Sequence, residues 1–329
     1  NEGAADNTTE FFDPTAVTVE EAHSYFQVDE LSGTPTDIEN YCKGDLLNDI
    51  NVLDLSNVLA GPTAGYTLAQ FGANVIKADP PNYPYIGLGN FNLDVTQGKR
   101  SILTDLTTAP GREVLRRLIE WADIVVHNCL DDISTRLGIS YEQLKQINPQ
   151  IICTQLAAFG GPRRGGWENR PGFDPVAGAA SGLMADFSSL EKPQYCGSTA
   201  FGDTMTGLAA AFAALMGLYR RHRRGLGSEA RTSLARANNY IQLPLMIAKA
   251  GECDSTEPTG QLSLGIDWAQ RMYQCSDGWI FVAAVGEASK RFVEILGADD
   301  TVSEAALETT MKERPCADWC RDFERAEIS

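Results

Sequence analysis

The sequence predicts an α/β fold, a doubly wound and mostly parallel sheet of Rossmann-like type with a second, smaller α+β domain. Short apolar runs of strand length alternate with stretches of helical periodicity between residues 50 and 159. The chain has 329 residues, of which 43% are hydrophobic and 22% are charged. This size and balance suit one large domain, or two ordinary ones, with a substantial buried core.

The first unit of the sheet spans residues 50–79. INVLDL and ANVIKAD predict two parallel strands, separated by the glycine-containing loop SNVLAGPTAG and a helix over AGYTLAQFG. The loop lacks the G-x-G-x-x-G pattern of dinucleotide sites, and Pro62 removes one backbone donor from it. Conventional dinucleotide binding, with Asp79 on a ribose hydroxyl, is therefore disfavoured.

The same alternation continues through residue 159. RSILTDL, DIVVHN and IICTQLAAF predict further strands, and GREVLRRLIEWA and YEQLKQI predict helices between them. The sheet is thus expected to have four or five strands. His127 falls inside DIVVHN and is expected to be a packed or edge residue, since the three histidines form no usable catalytic set.

The remaining chain predicts a long apolar helix and then a smaller domain. A run of about sixteen small or apolar residues follows Asp203. EARTSLARANNYIQLPLMIAKAG predicts an amphipathic helix that ends at Gly251, and a loop, a strand pair (RMYQC and DGWIFVAA) and two helices (EASKRFVEILG and ADWCRDFERA) complete the chain. We predict an acidic extension or linker at 1–47 with a short helix at Thr18–Phe26, an α/β domain at 48–228, and a linker helix with a small domain at 229–329.

The charge and the cysteines narrow the class of protein. The formal net charge is −17, and residues 1–50 contain twelve acids and one base. An acidic surface argues against nucleic acid as a partner. No apolar run has the length of a membrane span and no signal peptide is present, so no membrane partner is expected. The eight cysteines form neither a paired framework nor a metal-ligand set, which indicates reduced thiols in a cytoplasmic compartment and no metal.

Two carboxylates are the candidate catalytic residues. Asp203 stands between Gly202 and Thr204 at the start of the apolar helix, either as an N-cap or as an accessible nucleophile. Asp174 stands in the same way at the head of the Ala/Gly-rich run in RPGFDPVAGAASGLM. The two acids are therefore either a nucleophile with an assisting acid or two helix caps.

Four other residues are candidates for binding a ligand. Val58 lies in the loop after the first strand, where open α/β sheets place ligands, although an ordinary βα turn explains the loop equally well. Lys99 and Arg136 offer cations for phosphates, with solvated surface charge as the alternative. Asn128 ends a strand at the same sheet edge, where it binds a ligand or stabilises a turn.

The order of these segments carries a resemblance to a known family. VLDLSNVLAGPTAGYTLAQFGANVIKADPP, GKRSILTDL, DIVVHN, RPGFDPVAGAASGLM, FGDTMTGLAAAFAALMGLYRR and GLGSEARTSL together resemble the class III CoA-transferases, the CaiB/BaiF family, from about residue 50 to 245. The resemblance implies a CoA-binding α/β domain, a small second domain, and two chains interlinked as rings in a homodimer.

The resemblance also implies residue roles. Asp203 occupies the position of the family's nucleophile, which forms an anhydride with the acyl group and then an aspartyl-CoA thioester. Asp174 falls where an acidic residue assists the site, and the CoA-contacting positions are Val58, Lys99, Asn128 and Arg136. Coenzyme A thioester is then a substrate together with a free carboxylic acid, and no cofactor is bound permanently.

Two alternatives stay open. The related 2-methylacyl-CoA racemases place a catalytic histidine where this chain has Phe173, which disfavours racemisation because phenylalanine cannot take a proton. A catalytically inactive CoA-binding repeat is the other alternative, since EPTGQLSLGID lacks the glycine-rich run of many transferases. The acidic extension and the end in ERAEIS suggest a fragment of a tandem protein, in which a second repeat replaces the homodimer partner.

Overall fold

The computed structural model describes residues 46–81, 94–161, 166–189, 191–195, 200–243, 263–298 and 302–328. The chain divides into a larger compact unit, Asn1–Leu183 with Cys196–Gln242, and a smaller one, Met184–Tyr195 with Leu243–Ser329. The helix predicted at Thr18–Phe26 and the helix end predicted at Gly251 lie outside the described residues. The domain boundaries predicted from the sequence stay a prediction.

The larger unit contains one sheet of six parallel strands in the order β3-β2-β1-β4-β5-β6. The strands are β1 (Asn51–Asp54), β2 (Asn74–Asp79), β3 (Lys99–Leu103), β4 (Ile124–His127), β5 (Ile152–Ala157) and β6 (Ser228–Ser233). The order reverses between β1 and β4, which pair directly. Open sheets of this order bind ligands outside the carboxyl ends of the strands at that point. The predicted doubly wound α/β fold is confirmed.

Eight helices are described between Ala60 and Ile241. They are α1 (Ala60–Gln70), α2 (Ala109–Trp121), α3 (Asp131–Leu137), α4 (Tyr141–Ile147), α5 (Asp174–Ala180), α6 (Leu183–Asp186), α7 (Phe201–Arg224) and α8 (Leu234–Ile241). One of them, α6, extends from the larger unit into the smaller one. Successive side chains of a strand point to opposite faces of the sheet. Val52 accordingly packs in the core with Leu68 of α1, and Leu53 packs in a separate core with Ile119 of α2. Both faces of the sheet are therefore covered.

Two element predictions were wrong, and with the second of them the expected four or five strands become six. The segment SNVLAGPTAG was predicted as a loop, but α1 already begins at Ala60. Pro62 fits there because the first N–H groups of a helix have no intrahelical partner to lose. The segment EARTS was predicted as the start of a helix, but it forms β6, hydrogen-bonded in parallel register to β5. Its polar, incompletely buried residues give no strand periodicity, because β6 is an edge strand.

The long helix α7 has 24 residues, more than the sixteen predicted, and packs through its smallest side chains. A Cβ atom added at Gly207 would lie 2.5 Å from Cβ of Thr63 and 2.6 Å from the backbone oxygen of Ala60. The glycine thus lets α7 approach the backbone of α1. By length and composition alone, α7 is also long and apolar enough to cross a membrane, but here its small-residue side contributes Ala210 and Ala214 to the core.

The smaller unit combines an antiparallel sheet with helices, as predicted. The strands are β7 (Gly265–Asp267), β8 (Gln270–Gln274) and β9 (Trp279–Ala283), and the helices are α9 (Glu287–Ile295), α10 (Glu304–Met311) and α11 (Cys316–Arg325). Phe292 lies at the centre of its core, with its ring 5.7 Å from Tyr273 and 5.5 Å from Phe323. Helix α10 was not predicted.

Candidate active site

An open cleft with a cavity volume of about 200 Å³ lies at the carboxyl edge of the sheet. It is bounded by the loops after β1 and β4, the end of β5, and the starts of α5, α7 and α8. Its lining includes Asn57, Val58, Asn128, Phe173, Asp203 and Leu234. The cleft therefore coincides with the point where the strand order reverses, which is the expected ligand position in this fold.

A buried ion pair supports the loop after β1. The Nζ of Lys99 lies 2.8 Å from Oδ2 of Asp54, and it also donates a 2.7 Å hydrogen bond to the backbone oxygen of Pro62. Burial by itself raises the pKa of Asp54, but the charges of Lys99 and Lys77 outweigh it and hold the pKa below its usual value. Only 1% of the Lys99 side chain is exposed, so a phosphate can reach Nζ only if this ion pair opens. The contact of Lys99 with CoA stays a prediction.

Val58 and Asn128 both line the cleft, and both shape the same loop. Val58 has φ 69°, a left-handed conformation that is unusual for a β-branched residue. The side-chain amide of Asn128 accepts a 2.9 Å hydrogen bond from the N–H of Asn57 and donates one of 2.8 Å to its carbonyl oxygen. Asn128 thus fixes the backbone beside Val58, as the turn-stabilising alternative expected. Their contact with CoA stays a prediction.

Arg136 lies apart from the cleft lining. It is exposed in the last turn of α3, the helix that follows the cleft residue Leu130. An exposed guanidinium at this position can reach a bound phosphate only outside the cleft itself. Its role in binding CoA also stays a prediction.

The structure brings the two predicted carboxylates together. Asp203 is the third residue of α7, whose N-cap is Ala200, so Asp203 is not the cap of its own helix. Asp174 is the first residue of α5 and is 7% exposed. Its Oδ1 accepts a 3.1 Å hydrogen bond from the backbone N–H of Asp203. Asp174, on the neighbouring helix α5, therefore accepts a hydrogen bond from one of the N–H groups that have no partner within α7. This hydrogen bond connects the start of α7 to α5.

This arrangement changes the acidity of Asp203. Burial, and after it the charge of Asp174, raises the pKa of Asp203 from 3.8 to about 7. A carboxylate of raised pKa is a stronger base and a better nucleophile than an ordinary aspartate, and it is still substantially ionised near neutral pH. Ala200, at the entry to α7, has φ 44°, so a second left-handed residue lies beside the site.

Two residues of the site were missed by the sequence analysis. A Cβ atom at Gly202 would lie 2.1 Å from Oδ1 of Asp174 and 2.6 Å from Oδ1 of Asn238, so only glycine fits between these two side chains. Asn238 is completely buried on α8. The glycine before Asp203 was a usable signal. The asparagine, inside a segment predicted as an amphipathic helix, gave none.

His127 takes no part in this site. It is 1% exposed within β4, and burial, with a smaller effect of the charge of Arg231, lowers its pKa to about 4. Its position agrees with the predicted packed residue. Within the described parts of the chain, no group of histidines, cysteines and carboxylates is suited to hold a metal ion, and the cysteines there carry free thiols.

The chain is similar in sequence to known CoA-transferases. CoA-transferase/lyase DddD of Marinomonas sp. (strain MWYL1) is 32% identical over 304 residues, covering 90% of this chain and 36% of that protein. Succinyl-CoA:mesaconate CoA-transferase of Haloarcula hispanica is 30% identical over 257 residues, covering 73% of this chain and 64% of that protein. The chain thus spans less than two thirds of the length of these relatives.

Solved structures share the fold. The crystal structure of a CAIB/BAIF family protein from Brucella suis matches with a TM-score of 0.73 at 26% identity, covering 87% of this chain and 83% of that chain. The crystal structure of Rv3272 from M. tuberculosis matches with a TM-score of 0.74 at 25% identity, covering 87% and 82%. The sequence model of CoA-transferase family III matches residues 47–327. The resemblance seen in the sequence is confirmed, and the chain belongs to CoA-transferase family III.

Proposed function

We propose that the chain moves coenzyme A from an acyl-CoA to a free carboxylic acid, with Asp203 as the nucleophile. One observation carries the proposal: a carboxylate whose pKa is raised to about 7 faces the open cleft at the switch point of the sheet. Family membership and the names of the relatives support CoA transfer as the reaction class.

The proposed chemistry splits one exchange into four substitutions. The Asp203 carboxylate attacks the thioester carbonyl of the donor, which forms a mixed anhydride and releases CoA thiolate. The thiolate then attacks the aspartyl carbonyl, which gives an aspartyl-CoA thioester and releases the donor acid. The acceptor carboxylate attacks this thioester and expels the thiolate again. The thiolate finally attacks the acceptor's acyl carbonyl, which forms the new acyl-CoA and regenerates Asp203.

The surrounding residues have supporting roles in this proposal. Asp174 accepts a hydrogen bond from the backbone N–H of Asp203, and its charge adds to the effect of burial in raising the pKa of Asp203. Val58 and Asn128 form the wall against which the pantetheine arm lies. Arg136, exposed on α3, is the cation that binds the CoA phosphates. Lys99 binds these phosphates only when its ion pair with Asp54 is broken.

Racemisation is the less favoured chemistry for the same cleft. Phe173, at the position of the racemase histidine, lines the cleft and is 52% exposed, but it has no ionisable group. His127 is buried in β4 with its pKa lowered to about 4, so it is a poor proton acceptor and has no access to the cleft. An acid and a base on opposite faces of a substrate carbon are therefore difficult to assemble here.

A second copy of the chain, or a second repeat of a tandem protein, is the proposed macromolecular partner. One side of α7 exposes Leu208 (44%), Phe212 (65%), Met216 (48%) and Tyr219 (59%) at helical spacing. A contiguous apolar face of this kind is typical of a protein interface. The interlinked dimer of the family would cover it.

The test is a transfer assay on the full-length protein. Succinyl-CoA is supplied with a panel of free carboxylic acids, because a relative's name states this donor, and new acyl-CoA products are separated and identified by mass. We expect transfer in the wild type and none in Asp203→Asn. Turnover that survives Asp203→Asn would refute the nucleophile. Exchange of the α-proton of a 2-methylacyl-CoA in deuterated water, without any acceptor acid, would support the racemase instead.

A further inference from the structure

A fully buried amide lies beside Gly202 and Asp174 and has no hydrogen-bond partner among the described residues. Both Nδ2 and Oδ1 of Asn238 are without a partner there, and Asn238 is 0% exposed. Burying an amide unpaired is costly, and cores contain such groups rarely. A leucine of the same shape would pack in this place without that cost. We therefore expect the amide to have a functional role in the site.

We infer that Asn238 is a positioning residue, whose amide holds Asp174 as the ionised member of the pair and leaves the last proton on Asp203. The inference rests on the proposed role of Asp203 as the nucleophile, and it assigns the group that decides which of the two carboxyls is the more basic.

The geometry around Gly202 places the amide in reach of Asp174. Oδ1 of Asn238 and Oδ1 of Asp174 would lie 2.6 Å and 2.1 Å from a Cβ atom at Gly202, so both occupy the small space above this glycine. Helix α8, which carries Asn238, packs against both α5 and α7, the helices that carry the two aspartates. Asn238 is thus held in a fixed position beside the two helices that carry the aspartates.

The chemistry of the amide selects one protonation state. Rotation of the Asn238 amide by 180° exchanges the positions of Oδ1 and Nδ2. The hydrogen-bonding partner determines which of the two orientations is adopted. The Nδ2 end donates to an ionised Asp174, whereas the Oδ1 end accepts from a protonated one. Because Asp174 Oδ1 already accepts the N–H of Asp203, a second donor from Asn238 favours the ionised form. Asp203 then keeps its proton until higher pH.

Other charged groups of the neighbouring elements are engaged elsewhere. Helix α1 has no charged residue. On β6, Arg231 pairs with Asp131 and Glu229, and on α8 the guanidinium of Arg236 lies beside Gly161. The basic residues of α7 lie at its C-terminal end, at 220–224, opposite to the end that carries Asp203. Asp174 is the charged group that acts on Asp203.

The experiment follows the two carboxyls separately in the free protein. Aspartates of the full chain are labelled with ¹³C at Cγ and titrated by NMR, and Asp203→Asn and Asp174→Asn identify the two resonances. In the wild type we expect Asp203 to carry the titration step near pH 7. In Asn238→Leu, loss of one hydrogen bond to a charged group should change the ratio of the two singly protonated forms roughly tenfold in favour of protonated Asp174. Much of the change in chemical shift near pH 7 should then appear at the Asp174 resonance.

The controls make each outcome decisive. Asn239→Leu, at the exposed neighbour on α8, should leave both titrations unchanged. Asn238→Ala, which removes the amide without added bulk, should act in the same direction as Asn238→Leu and serves if the leucine variant does not fold. A lower melting temperature with both titrations unchanged would overturn the inference. No substrate is used, so shifted titrations in a protein without transfer activity would refute only the proposed function.

Discussion

Asp203 is an ordinary residue type whose pKa is shifted by its surroundings. It stands in the first turn of α7, with its N–H bound by the carboxylate of Asp174. Burial and that charge raise its pKa. The proposed chemistry needs this residue ionised, so transfer should decline as the pH falls through about 7.

The raised pKa also predicts how stability depends on pH. The folded protein binds a proton at Asp203 between pH 3.8 and about 7, where the unfolded chain has already released it. The contribution of Asp203 to stability is therefore present at acidic pH and is lost as the pH rises to about 7. Relative to Asp203→Asn, the wild type should lose on the order of a few kcal/mol of unfolding free energy across this range.

Urea unfolding at a series of pH values measures this difference. Asp132→Asn, at an exposed aspartate of α3, is the matched control and should follow the wild type. Parallel curves for the wild type and Asp203→Asn would mean that Asp203 titrates like an exposed aspartate.

Lys99 and Arg136 are predicted to differ sharply on substitution. Lys99→Met leaves Asp54 buried without its partner, and breaking such a pair should cost about 3–5 kcal/mol of stability. Arg136→Ala removes an exposed side chain and should change stability by less than about 0.5 kcal/mol.

If Arg136 binds CoA phosphates, its replacement raises KM for acyl-CoA more than it lowers kcat. An unchanged KM would make Arg136 a solvated surface charge.

At the residue scale, the sequence patterns singled out Asp174 and Asp203, which lie in contact, but did not predict the form of that contact. Asp174 and Asp203 were paired because both precede apolar helices. The direction of the contact, from the N–H of one to the carboxylate of the other, depends on how α5 and α7 meet. Asn238 was missed because a buried polar residue on a helix looks the same in sequence as a residue on its exposed side.

At the element scale, close packing of α7 positions the site. Gly207→Ala adds a methyl group 2.5 Å from Cβ of Thr63 and 2.6 Å from a backbone oxygen. Although alanine favours helix, this overpacking should lower stability by about 1–3 kcal/mol. Thermal unfolding measures the change, with Ala209→Ser, at an exposed position two residues further along α7, as the control. A stability equal to or above the wild type would show that α1 moves away without cost.

Elements with strong apolar periodicity were predicted correctly, and those without it were not. β1, β4 and β5 are largely buried, and each contains consecutive apolar residues. β6 is polar and takes its strand conformation from pairing with β5, a tertiary interaction that local sequence does not encode. The helix start at Ala60 was hidden by glycine and proline, which usually mark loops.

At the scale of the whole molecule, the alternation of strands and helices predicted the class of fold but not the strand order. That order brings the ends of β1, β4 and β5 together around one cleft, and residues far apart in sequence meet there. Length, charge and composition did not indicate which strands would be neighbours. The strand order is seen only in the structure.

The exposed face of α7 predicts that the chain pairs with a copy of itself. Phe212→Asp places a charge at the centre of this face, where Phe212 is 65% exposed, and should dissociate the dimer. Sedimentation velocity on the purified chain measures the change. Leu226→Asp, at an exposed leucine after the end of α7, should leave the dimer intact. A wild-type chain that sediments as a monomer at all concentrations would contradict the pairing.

A search for the proposed covalent intermediate on Asp203 is the most direct test of the account. The full-length protein is incubated with acyl-CoA without an acceptor, treated with borohydride, digested and analysed by mass spectrometry. Borohydride reduces an aspartyl thioester to the alcohol, so the account predicts homoserine at position 203 only after exposure to acyl-CoA. Asp174→Asn should still form this product if it folds, since Asp174 only positions the nucleophile. Transfer activity with an unmodified Asp203, or with the modification on another residue, would contradict the account.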